Sequence, residues 1–109
     1  MTSTLFKNLQ LFDGLTDQIQ SNAWFITDDQ SGKIIARGTA DFPKADRSID
    51  LCDKYVMPGF INVHTHITSN PATFDGGRNR SETETAVDAY QNLQTFLKSG
   101  VTFIRGCGN

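Results

Sequence analysis

The sequence predicts an α/β chain, with a β-rich unit over residues 1–57 and a single strand–helix–strand unit over 58–109. Three observations carry that reading. The first half consists of short β-branched and aromatic runs broken by turn residues. A Pro58-Gly59 pair then interrupts the pattern. Beyond it, one stretch of helical periodicity lies between two apolar runs.

Within 1–57 four or five strands of a small antiparallel sheet are expected. The clearest pair is Ala23–Thr27 and Lys33–Arg37, joined by Asp28-Asp29-Gln30-Ser31-Gly32, with the glycine supplying the positive φ of a hairpin connection. In this setting Asp28-Asp29 reads as a turn, not an acid/base pair. Runs at Thr4–Asn8 and Ser48–Cys52 extend the sheet, and Pro43, Lys44 and Asp46 lie in a polar stretch between strands. Trp24, Phe25 and Phe42 are assigned to packing and not to a binding face.

Pro58 cannot donate to a ladder and Gly59 permits a sharp change of direction, so the boundary is placed there. Phe60–His64 is a nearly continuous apolar run of the kind buried on both faces of a parallel sheet. Thr68–Arg80, with Pro71, Gly76 and Gly77, reads as a long loop. Ser81-Glu82-Thr83-Glu84 fits a capping box. Apolar residues then recur at Ala86, Val87, Ala89, Tyr90, Leu93, Phe96 and Leu97 up to a Gly100 cap. Val101–Arg105 is a second strand, which completes a right-handed β-α-β unit with a parallel pair.

Composition narrows the function. The 109 residues carry 10 Lys+Arg against 12 Asp+Glu, a net charge of −2, with no basic run to attract nucleic acid or an anionic membrane. Cys52 and Cys107 are far apart and lack C-x-x-C spacing, which fits reduced thiols in a cytoplasm better than a disulfide scaffold. No leader pattern or long apolar run appears, so a soluble, cytoplasmic protein is expected.

The only two histidines, His64 and His66, stand at i and i+2 at the end of the first apolar strand. Strand alternation places both imidazoles, and Asn62, on one face, where they can converge on one divalent metal. The carboxyl end of a parallel strand is also where α/β folds build their sites. A complete metal site uses three or more protein ligands, and this chain has no third histidine.

The string Val56-Met57-Pro58-Gly59-Phe60-Ile61-Asn62-Val63-His64-Thr65-His66 resembles the barrel-opening signature of the amidohydrolase superfamily of metal-dependent hydrolases. That signature runs Pro-Gly, two apolar residues, Asp, any residue, His, any residue, His. Leu97-Lys98-Ser99-Gly100-Val101-Thr102-Phe103-Ile104-Arg105 resembles the helix-to-strand segment of the imidazolonepropionase-like and Xaa-Pro dipeptidase-like branch. Gly32-Lys33-Ile34 and Ser48–Leu51 resemble the N-terminal half of the family's β-sandwich. The resemblance implies part of a small β-sandwich at 1–57, then the first β-α-β unit of an incomplete TIM (β/α)8 barrel at 58–109. It implies hydrolysis of an amide, lactam or dipeptide C–N bond by water activated on one or two divalent metals, zinc foremost.

By the same resemblance His64 and His66 are metal ligands and Asn62 supports them, standing where the family usually has Asp. Gly106 stands where the branch commonly has Asp after Arg105. Arg105 is a candidate for holding a substrate carboxylate, and Thr68 and Ser69, with Asn70 and Pro71, for rimming the pocket. Family members are three or four times longer and take a carboxylated Lys or Glu, two further His and an Asp from later strands. A chain of this length is accordingly expected to be an N-terminal fragment, inactive alone and self-associating through its open strand edges. The Gly106-Cys107-Gly108 stretch reads as a plain loop. The alternative from a different class is a non-catalytic β-rich module that binds metal or a partner chain.

Overall fold

The computed structural model describes residues 2–69 and 80–108. The chain divides into two compact units, Met1–Pro58 and Gly59–Asn109.

In the first unit β1 (Ser3–Phe12), β2 (Ile19–Asp28), β3 (Ile34–Thr39) and β4 (Arg47–Val56) form one sheet in the order β3-β2-β1-β4. The β2–β3 hairpin forms as the sequence indicates. Asp28 N–H donates to Lys33 O at 2.9 Å, and Gly32 takes φ +66 with open space around it, so conformation alone demands the glycine there. Asp28 is a turn residue, its carboxylate accepting from Ser31 Oγ at 2.6 Å and Gln30 N at 3.2 Å.

The sheet is not purely antiparallel. β4 runs parallel to β1, pairing Thr4 with Arg47 and Leu11 with Val56. Parallel neighbours need a crossover, and residues 40–46 supply it by carrying the chain from the β3 edge to the opposite edge. Asp46 anchors the return, accepting from Ser3 N at 2.8 Å and Ser3 Oγ at 2.9 Å.

Register shifts interrupt β1 beside both neighbours. At these shifts Asn8 and Asn22 take φ of 59° and 51°, while on β4 Cys52 and Asp53 take 49° and 64°. Such bulges bend a strand locally. They also explain why Phe6 packs against the same core as Leu9 and Leu11, a spacing of three that strict alternation does not give.

The core is Leu9, Leu11 and Ala23, with Phe6, Phe25, Leu51 and Val56 packed around it. Phe6 stacks on Phe25 with centroids 4.8 Å apart. Trp24 lies so close over Gly38 that a Cβ there would sit 2.7 Å from the indole, and its Nε1–H donates to Ala40 O at 2.8 Å.

The second unit holds β5 (Phe60–Thr65), α1 (Glu82–Lys98) and β6 (Val101–Gly106), with β5 and β6 parallel. The capping box is present: Ser81 Oγ accepts from Glu84 N and the Glu84 carboxylate accepts from Ser81 N. Arg80 pairs with Asp88 across the first turns. Gly100, at φ +86, turns the chain into β6, and its carbonyl accepts from Phe60 N at 2.8 Å. A side chain at Gly59 would collide with Thr102, so close strand approach requires that glycine.

The apolar runs of β5 and β6 are not buried on both faces as their sequence suggests. Ile61 and Val63 are each 66% exposed and Phe103 62%, because two strands and one helix offer too little surface to cover them. Among the described residues no helix is long and apolar enough to cross a membrane.

Candidate metal centre

The strand end that carries the histidines is fixed by backbone pairing before any side chain is considered. Asn62 faces Ile104 and Thr65 faces Gly106 along the ladder, and Cys107 N–H extends it by donating to Thr65 O at 2.9 Å. Thr65, only 4% exposed, turns inward and donates from Oγ1 to Arg105 O at 2.9 Å. With residue 65 directed that way, alternation turns 64 and 66 to the opposite side.

There the two rings converge, with His64 Nε2 and His66 Nε2 3.2 Å apart. Their planes meet at 63°. His66 Nδ1 lies 2.8 Å from Gly108 O, and because a carbonyl only accepts, that nitrogen carries the proton. In the neutral ring Nε2 of His66 then presents a lone pair. Without a cation His64 Nε2–H can donate to it. In its other tautomer His64 turns a second lone pair to the same point.

Two zinc–nitrogen bonds of about 2.0–2.1 Å meeting at a tetrahedral angle separate their nitrogens by about 3.3 Å. The observed pair fits that requirement, and neutral imidazole is a suitable donor for zinc. Among the described residues no group of three or more His, Cys, Asp or Glu converges, so the pair is two ligands and not a closed site.

Asn62 reaches the pair through the backbone: its Oδ1 accepts from His64 N at 3.1 Å. Arg105 is exposed on β6, and the contact it makes to the site strand is its carbonyl's bond from Thr65. Thr68 and Ser69 lie in the turn after His66, closed by Ser69 N–H donating to His66 O at 3.2 Å. The rest of the anticipated rim, including Asn70, Pro71, Gly76 and Gly77, lies outside the described residues. Both cysteines are free and exposed.

Three supports escaped the sequence reading. Gly108 acts through its carbonyl, which no side-chain pattern reports. Thr65 looks like any strand residue between two histidines. Asn92 lies on α1 among polar residues, and its Nδ2 donates to Ile67 O at 2.7 Å and Ser69 O at 3.1 Å.

These features define an α/β protein that gathers two imidazoles at the carboxyl end of a parallel strand. Residues 55–109 match the amidohydrolase family, and the chain belongs to it. It is similar to an L-hydantoinase of Paenarthrobacter aurescens, 30% identical over 105 residues that make up 94% of this chain and 21% of that protein. It is also similar to a solved Xaa-Pro dipeptidase with bound methionine in the active site, at 27% identity and TM-score 0.80, covering 99% of this chain and 27% of that one. A prolidase complexed with N-methylphosphonate-L-proline superposes at TM-score 0.82 and 25% identity, over 98% of this chain and 26% of that one. The chain thus spans between 21% and 27% of the length of these relatives.

Proposed function

We propose that this chain supplies the first metal-binding strand of an amidohydrolase whose complete form hydrolyses an amide, lactam or dipeptide C–N bond. The observation that carries this reading is the 3.2 Å approach of the two Nε2 atoms at a strand end. A divalent cation, zinc by the donor set, supplies acidification of a water molecule and polarisation of the scissile carbonyl. His64 and His66 hold it, Asn62 steadies the His64 backbone, and the Gly108 carbonyl fixes the His66 tautomer. Arg105 is assigned to a substrate carboxylate, and Thr68 and Ser69 to the rim of the pocket. Small, amide-containing substrates accord with the hydantoinase and dipeptidase names of its relatives.

In this reading residues 1–57 are the N-terminal half of a β-sandwich and 58–109 the opening β-α-β unit of a TIM (β/α)8 barrel. The remaining ligands come from later strands, so the 109-residue chain alone does not turn over substrate. Two exposed free thiols suit a reducing, cytoplasmic setting.

Calorimetric titration with zinc tests the ligand pair. The chain binds weakly and His64→Ala abolishes binding. Unchanged affinity in that variant removes the assignment.

The exposed apolar residues of β5 and β6 favour a second reading, a module that docks a partner or another copy of itself. Light scattering should then report a dimer or larger species, and a well-behaved monomer speaks against it.

A further inference from the structure

We propose that Asn92 is a positioning residue for the His64–His66 pair, acting through the turn that follows His66; the inference rests on the metal-binding reading above. The Asn92 amide spends both Nδ2 hydrogens on one target, the carbonyls of Ile67 and Ser69 at 2.7 and 3.1 Å. These two carbonyls bracket Thr68 in a turn whose internal bond, Ser69 N–H to His66 O at 3.2 Å, begins at the second histidine.

The backbone of His66 is therefore held from two directions. Thr65, immediately before it, is tied to β6 through Thr65 Oγ1–Arg105 O and Cys107 N–Thr65 O. The turn immediately after it is tied to α1 through Asn92. Gly108 O then sets the ring about that fixed backbone. Removing the Asn92 bonds frees the turn at its α1 side, and the Nε2 of His66 no longer stays at the spacing two metal bonds require.

Helix stability gives no reason for asparagine here. Asn ranks well below Ala, Leu or Gln within a helix, and this one is half-buried in the middle of α1. Its amide offers two donors from one short side chain, which the carbonyls of Ile67 and Ser69 take up. An Asp of the same shape would turn acceptor oxygens on both carbonyls.

The test is zinc affinity of the full chain measured by calorimetry, with helix content followed by circular dichroism. Asn92→Ala removes both donors while raising helix propensity, so α1 is retained and its ellipticity is unchanged or higher. The expected result is a 10–100-fold rise in the zinc Kd, the range typical when a group supporting a metal ligand is lost. Asn92→Asp, isosteric but without the donors, is expected to lose at least as much. A Kd within twofold of the starting chain in both variants, alongside lost binding in His64→Ala, overturns the role of Asn92 and leaves the ligand pair standing. Zinc affinity untouched by His64→Ala overturns the ligand pair and the role of Asn92 with it.

Discussion

The two units of this chain treat similar apolar patterning in opposite ways. Among the described residues all the buried apolar side chains, Leu5, Leu9, Leu11, Ala23 and Ile26, belong to the first unit. The second unit buries Thr65, a polar residue, and leaves Phe60, Ile61, Val63 and Phe103 mostly exposed. Four paired strands enclose a small core, whereas a parallel pair with one helix does not. The first unit is built for its own stability. The second presents a site and an apolar surface around it.

Paired truncations should expose that contrast most strongly. Leu9→Ala leaves a cavity at a fully buried position and is expected to cost about 2–5 kcal/mol in denaturant unfolding followed by Trp24 fluorescence. Ile61→Ala, at an exposed position, is expected to change stability by no more than about 0.5 kcal/mol. Equal costs would mean that β5 is buried in solution, through self-association or otherwise.

The helix offers a smaller, local test. Ser81→Ala removes the capping-box hydroxyl and should lower α1 stability by about 1 kcal/mol, read as reduced helix ellipticity on mild heating. The first unit's tryptophan signal should stay where it was.

Acid should separate the units more gently. Asp46 is held below the ordinary carboxylate range by the Ser3 amide, Asp50 by the Cys52 amide, Asp13 by the Leu15 amide and then Arg37, and Asp28 by the Ser31 hydroxyl. In the second unit Glu84 is lowered by the Ser81 amide. A carboxyl group depressed on folding stabilises above its unfolded pKa and loses that contribution as pH falls through the folded one. Below about pH 4 the first unit, with four such groups, should therefore weaken ahead of α1. Simultaneous loss of tryptophan and helix signals would contradict that order.

Local chemistry was legible in the sequence. The β2–β3 hairpin followed from Gly32, α1 from Ser81 and Glu84, and the convergence of His64 and His66 from a spacing of two at a strand end. Non-local geometry was not. The parallel pairing of β4 depends on a crossover that Pro43 and Lys44 mark only as a polar stretch, and the positive φ of Cys52 and Asp53 has no compositional signature. The apolar run at Phe60–Val63 indicates how β5 is meant to be buried, not what this chain places over it. Asn92 carried no signal because a helical asparagine reads as solvent-facing until its carbonyl partners are known.

X-ray absorption at the zinc edge, on the chain loaded with one equivalent, tests the central geometry most directly. The convergent pair predicts two imidazole nitrogens at about 2.0–2.1 Å, both lost in His66→Ala. A shell with one imidazole or none in the unaltered chain would contradict it.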